Sequence, residues 1–186
     1  MNEPYFWYVF YVRTGSENRV VSDIARFSET NGTADAVSPF CPESEIYYRS
    51  ARGRQAGKTY KKRPLFSNYV FVETTLPANE FLNMFGSYIY SSHDIIRILK
   101  SGNGNNIALP DDERARLEFL LKGKRCVEHS IGYITGDSVR ITAGALVGCE
   151  GLITYINRHN RCADIEIDMF GGKIKARVAL EIVEKS

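Results

Sequence analysis

The sequence predicts an α+β fold in two parts: an antiparallel sheet with flanking helices over residues 1–122, and a small β-barrel over 135–186. Three observations carry this. Apolar residues recur at helical spacing in three segments of the first part, each flanked by strand-like runs. From Gly136 onward the pattern changes to short alternating strands separated by turns. Between them, KGKRCVEHSIGY (123–134) has little periodicity and reads as a linker.

FWYVFYV (6–12), aromatic and β-branched, predicts a buried strand. Gly15 stops it, and Ser16 is placed to cap a helix through ENRVVSDIARFSETN, with Val20, Ile24 and Phe27 on one face. Pro39 and Pro42 break the next stretch into short extended pieces. EIYYR (45–49) and KTYKK (58–62) flank RSARGRQAG as a hairpin with a basic tip. SNYVFVE (67–73) is a further strand. A helix opens at Pro77 and buries Phe81, Met84 and Phe85. DIIRILK (94–100) is a strand and SGNGNN a turn. A last helix starts after Pro110 and turns Leu117, Leu120 and Leu121 inward. The order is β-α-β-β-β-α-β-α.

In the second part SVRIT, GLITYI, CADIEID and KIKARV are strands. Ala163, Ile165 and Ile167, then Ile174, Ala176 and Val178, fall on inward faces. Gly171-Gly172 makes a tight hairpin.

Composition excludes several classes. The net charge is +2, and no apolar run approaches the length of a membrane span. The chain lacks the basic start of a secretory signal, so a soluble, cytoplasmic monomer is expected, with no membrane partner. Cys41, Cys126, Cys149 and Cys162 form no C-x-x-C pair and the three histidines are scattered, so reduced thiols and no metal site are expected. No nucleophile–base pairing or phosphate loop is visible. The expectation is a protein that is not an enzyme, with no catalytic residues and no cofactor.

The charge distribution says more than the total. Seven cations and no acid lie between Arg49 and Arg63. The hairpin residues Arg52, Arg54, Lys58, Lys61 and Lys62 suit non-specific contact with DNA, or serve only as a solvated loop. Across 136–186 positive and negative residues balance, but Arg158-His159-Asn160-Arg161 forms one turn, and Lys173, Lys175 and Arg177 alternate on one strand face. Arg158, His159, Arg161, Lys173, Lys175 and Arg177 are the candidate RNA-binding set, or else an ordinary solvated strand face beside a polar turn.

The motifs GDSVRI, G-x-x-x-G-x-x-G, I-x-x-I-N and DIEIDMFGG resemble the KOW domain of the NusG family of transcription elongation factors. Trp7-Tyr8-Val9, Gly15 and RPLFSNYVFVE (63–73) resemble its NGN domain. The resemblance covers nearly the whole chain. It implies that the NGN domain binds the clamp helices of RNA polymerase through a hydrophobic depression, here Tyr11, Phe66, Tyr69 and Phe71. Phe66 and Tyr69 are expected at the surface, whereas Phe71 suits the core equally. It implies that the basic hairpin lies near upstream DNA and that the KOW domain recruits a second molecule. Phe66-Ser67-Asn68-Tyr69-Val70 departs from the F-P-G-Y-V of housekeeping members and resembles specialised paralogues such as LoaP and RfaH. A LoaP-like reading gives the KOW domain a structured RNA hairpin and an antitermination role, with a lasting barrel instead of a helical hairpin. The housekeeping alternative gives it a ribosomal protein or termination factor through Met169 and Phe170. A ribosome-associated RNA-binding protein is the other alternative.

Overall fold

The computed structural model describes residues 5–48, 59–101 and 106–183. It divides into two compact units. The first comprises the described parts of Met1–Cys41, Ser67–Ala115 and Met169–Gly172. The second comprises those of Pro42–Phe66, Arg116–Asp168 and Lys173–Ser186.

In the first unit the chain runs through β1 (Phe6–Val12), α1 (Glu17–Thr30) and β2 (Val37–Phe40). After the hairpin β3 (Glu43–Tyr48) and β4 (Thr59–Pro64) of the second unit, it returns through β5 (Tyr69–Thr74), α2 (Ala78–Ser91) and β6 (Ile95–Ile98). The sheet order is β2-β5-β1-β6, and every pairing is antiparallel. Alternate residues of β1, namely Tyr8, Phe10 and Val12, join Val70 and Val72 of β5 in a core that holds Val20 and Ile24 of α1 and Phe81, Phe85 and Ile89 of α2. Both helices therefore cover one sheet face. Aromatic contacts set the spacing there: Phe81 lies 4.4 Å from Tyr8 and 4.7 Å from Phe85, centroid to centroid. The Tyr8 hydroxyl reaches the Leu76 carbonyl at 2.8 Å, which satisfies a phenol that burial pushes up to about 12.

Two local expectations are corrected here. Ser16 occupies the N-cap position of α1 but makes no capping bond; its hydroxyl donates backward to Arg13 O at 2.6 Å. Residues 37–40 form a fourth strand between α1 and α2, which the sequence divided into loose pieces because of Pro39. β2 is an edge strand, where a missing N–H is tolerated.

The second unit contains a curled five-stranded sheet and a smaller three-stranded one. α3 (Asp111–Leu121), which buries Leu117, Leu120 and Leu121 as expected, leads to β7 (Cys126–Val127), β8 (Ser130–Thr135) and β9 (Ser138–Ala143). A short 3-10 turn (Glu150–Leu152) precedes β10 (Ile153–Asn157), β11 (Cys162–Met169) and β12 (Gly172–Ile182). The order is β10-β11-β12-β8-β9, with β8 and β12 parallel. Ala163, Ile165, Ile167, Ala176 and Val178 are buried, as the alternation predicted.

Residues 126–127 and 130–134, read as linker, lie in the strands β7 and β8. Their signal is hidden because the buried face of β8 is Ser130 and Gly132, not apolar side chains. Smallness is required there: a Cβ on Gly132 would lie 2.6 Å from Arg140 O. Gly144 is bound more tightly still, with φ +97 and His129 O only 2.2 Å from where a Cβ would stand.

Candidate functional site

The face of the first unit's sheet opposite α1 and α2 carries Trp7, Val9 and Tyr11 of β1 beside Tyr69, Phe71 and Glu73 of β5. Its inner part is an aromatic cluster: Trp7 lies 5.1 Å edge-on from Phe40 and 5.9 Å from Phe71, and Phe40 stacks on Phe71 at 5.5 Å. The Trp7 indole N–H donates to Glu73 Oε2 at 2.9 Å. Toward the end of β1 the face opens. Tyr11 and Tyr69 are half-buried cross-strand partners with rings edge-to-face at 5.5 Å, and the Arg97 guanidinium lies 5.5 Å from the Tyr11 ring centre. Burial, then the neighbouring Tyr11, push the Tyr69 phenol up, so it is a neutral hydrogen-bond donor at physiological pH. Tyr11 pairs with Arg97 in the regular register; the shift that follows pairs Val12 with Ile95, which leaves Ile96 without a partner in the β1–β6 ladder and 55% exposed.

Of the four residues assigned to a hydrophobic depression, Tyr11 and Tyr69 are therefore together and reachable. Phe71 is core, at 0% exposure. Phe66, expected at the surface, is 1% exposed and belongs to the second unit. The segment before the turn is anchored there by Leu65 N donating to Pro42 O at 2.7 Å. Leaving Leu65 and Phe66 in water would cost about 2–3 kcal/mol each. Arg97 was missed because its place beside Tyr11 is set by the pairing of β1 with β6, strands far apart in the sequence, which no local pattern announces.

The turn that delivers Tyr69 is fixed by Asn68. It adopts a left-handed backbone, φ 74, and its amide Nδ2 donates to Val12 O at 3.0 Å and Thr14 Oγ1 at 2.7 Å. Its backbone N–H donates to Glu17 Oε1 at 2.8 Å, and its carbonyl accepts from Val12 N at 2.8 Å. The Phe66–Val70 turn is held by these bonds in place of a proline ring.

In the second unit the basic strand is less free than its composition implies. Arg177 makes a bidentate pair with Asp164 at 2.6 and 3.0 Å, and Lys173 and Lys175 lie 3.6 and 3.5 Å from Glu166. Arg177 holds the Asp164 carboxyl below the usual range, with Lys175 and Arg63 adding to the effect. Period 2 on β11 places Asp164 and Glu166 opposite the cations, a signal that was present in the sequence beside the lysines. The turn at 158–161 differs. Arg158 and His159 are exposed, while Arg161 lies 3.6 Å from Glu181 and 4.7 Å from the Tyr47 ring centre. A cavity of about 310 Å3 is lined by Ile46, Tyr47 and Arg63 of the β3–β4 hairpin and by His159, Asn160, Cys162 and Arg177.

Of the basic hairpin, Lys61 and Lys62 are exposed: Lys61 lies 3.9 Å from the Tyr48 ring centre and Lys62 sits 3.9 Å from Glu43. Arg52, Arg54 and Lys58 lie outside the described residues. Met169 is buried, and half-buried Phe170, at φ 53, donates its N–H to Glu113 Oε2 at 2.6 Å.

Comparison with known proteins bears on this geometry. A family model described as "Transcription termination factor nusG" matches residues 5–118. The transcription termination/antitermination protein NusG of Chlamydia pneumoniae is 25% identical over 168 residues, covering 90% of this chain and 87% of that protein. The protein of the same name from Chlamydia trachomatis serovar D is 23% identical over 166 residues, covering 89% and 86%. A solved structure described as "Domain interaction in Thermotoga maritima NusG" is similar in fold, with a TM-score of 0.52 at 22% identity over 96% of this chain and 94% of that one.

Proposed function

The chain belongs to the NusG family, and from that premise we propose how a NusG-like, non-enzymatic transcription termination/antitermination factor divides its work between its two units. The first unit binds RNA polymerase through the half-exposed pair Tyr11–Tyr69, with Arg97 at its margin. The observation that carries this is the opening of the aromatic sheet face at those residues, within the segment that the family model matches. Aromatic rings with a polar tip and an adjacent arginine are the side chains that dominate interface energetics. The polymerase element is an amphipathic helix pair, the clamp helices. Tyr69→Ala and Tyr11→Ala should each weaken binding to core polymerase by tenfold or more, about 1.4 kcal/mol, with the thermal transition retained. Wild-type affinity in a folded variant would end this assignment.

The second unit recruits structured RNA, as in the LoaP-like reading, and the turn Arg158–Arg161 contributes more than the strand face, because Glu166 and Asp164 offset the strand's cations. Glu166→Gln, which frees Lys173 and Lys175, should then raise affinity for a hairpin RNA and steepen its salt dependence. The offset strand face equally favours the housekeeping alternative, in which the second unit holds a ribosomal protein or termination factor. Lys61 and Lys62 lie on the strand leading from the hairpin that would approach upstream DNA. Transcription across a terminator, with and without a leader RNA hairpin in the template, separates the readings: readthrough that depends on the hairpin supports the RNA role, and readthrough indifferent to it supports the protein partner.

A further inference from the structure

Three side chains on the open sheet face of the first unit stand in one row. Tyr11 of β1 is the direct cross-strand partner of Tyr69 on β5 and of Arg97 on β6. The row therefore runs across the strands, and its Cα atoms span about 10 Å. Backbone bonds fix β6 to β1 on both sides of Arg97: Leu99 N donates to Val9 O at 2.8 Å, and Arg13 N donates to Asp94 O at 2.9 Å. Both tyrosines are half-buried, and the Arg97 guanidinium lies 5.5 Å from the Tyr11 ring centre. The two rings stand at 70° to each other, which suits the relief of aliphatic side chains better than the flat faces of stacked bases.

The charge of the row is uncompensated. Asp94, the acid closest to Arg97 in sequence, is taken by Arg19 at 2.6 Å, and Glu73 on the same face accepts from the Trp7 indole at 2.9 Å. Among the described residues no carboxylate pairs with Arg97, whose side chain is exposed. A row that is aromatic over two positions and cationic at the third is matched by a partner that is apolar over two positions and anionic at the third. An α-helix has that spacing. It rises about 1.5 Å per residue, so positions i, i+3 or i+4, and i+7 share one face and cover about 10 Å.

We infer that the row receives one amphipathic helix laid across the strands, with two apolar side chains one turn apart on Tyr69 and Tyr11 and a carboxylate one turn further along on Arg97. The inference rests on the polymerase reading above and sharpens it: the tyrosines supply affinity, and Arg97 sets which helix is accepted and in which direction it lies. A helix with a cation at that position is turned away, because it would set a like charge against Arg97.

The test uses the full chain, core RNA polymerase and two synthetic amphipathic helices of about four turns. Both helices carry leucines one turn apart; the next turn carries glutamate in one and lysine in the other. Arg97→Gln should weaken polymerase binding about threefold to tenfold, mainly through slower association, and flatten the loss of affinity between low salt and about 0.15 M salt. Arg97→Lys, which keeps the charge, should restore the salt dependence. The wild type should prefer the glutamate helix, and Arg97→Glu should reverse that preference, a reversal that a role in folding alone would not produce. As an independent readout, the backbone amides of Tyr69 and Arg97 should shift and saturate with the glutamate helix. Arg140→Gln, on β9, should change none of these results. If Arg97→Gln binds polymerase with wild-type affinity and salt dependence, or if the wild type does not distinguish the two helices, the Arg97 assignment is wrong while the polymerase reading stands on Tyr11 and Tyr69. If Tyr69→Ala also binds polymerase like the wild type, both fall. Saturable shifts of the same amides by single-stranded DNA would overturn the helix as occupant.

Discussion

Replacing Asn68 by alanine and by glycine separates two effects that the turn combines. Alanine removes both side-chain bonds while keeping the left-handed backbone at φ 74. The bond to Val12 O is partly buried and is worth about 1 kcal/mol, and the more exposed bond to Thr14 Oγ1 about half of that. Alanine adds about 1 kcal/mol for a conformation that its Cβ resists. The total for Asn68→Ala is about 2–3 kcal/mol. Glycine loses the same bonds but adopts the backbone freely, so Asn68→Gly should cost only about 1–2 kcal/mol. At 2–4 °C per kcal/mol for a chain of this size, alanine should melt roughly 4–12 °C below the wild type, with glycine between the two. Calorimetry on the three proteins reads the order directly. Because the turn places Tyr69, both variants should also weaken polymerase binding. The reasoning fails if alanine melts with the wild type, or if glycine is the less stable substitution.

Gly144→Ala should cost about 3 kcal/mol or more, since its Cβ would meet His129 O and Ser130 Cα at 2.2 and 2.5 Å, whereas Gly151→Ala, with nothing within 4 Å, should stay within about 0.5 kcal/mol; urea midpoints of the two variants make the comparison. The Asp164–Arg177 pair predicts a pH dependence. The folded carboxyl titrates below its ordinary value of 3.8, so its stabilisation is complete above that value and is lost as pH falls through the lower folded one. Arg177 is half exposed, which limits the contribution to about 1 kcal/mol or less. The stability gap between wild type and Asp164→Asn, measured by urea at pH 6 and pH 3, should shrink at the lower pH; a constant gap would show that the pair is energetically silent.

Much of this architecture was legible along the chain, and the failures have physical reasons. Helices α1 and α2 announce themselves because Val20 and Ile24, and Phe81 and Phe85, repeat at helical spacing against an aromatic strand. Alternation in Ala163, Ile165 and Ile167 likewise gives β11 its inward face. β8 was missed because its inner face is filled by Ser130 and Gly132, whose role is close approach and not apolar burial. Phe66 misled because an aromatic before a turn reads the same whether it is anchored inward or displayed. The candidate site divides along the same line. Tyr11 and Tyr69, named from a motif, lie side by side on the sheet, whereas Arg97 meets Tyr11 only through the pairing of β1 with the distant β6. Arg63 was counted as one cation in a run; only the tertiary fold brings it to the same cavity as Arg177.

The bond from Ser44 to Arg177 joins residues 133 positions apart. During synthesis the β3–β4 ribbon therefore emerges from the ribosome long before the strands that complete its docking. At on the order of 5–20 residues per second, that interval lasts roughly 7–27 s. Until β7 emerges to pair with it, the outer edge of β3 offers open backbone groups to other nascent chains. The positive charges of Lys61, Lys62 and Arg63 on the adjoining strand give the waiting ribbon mutual repulsion as a safeguard.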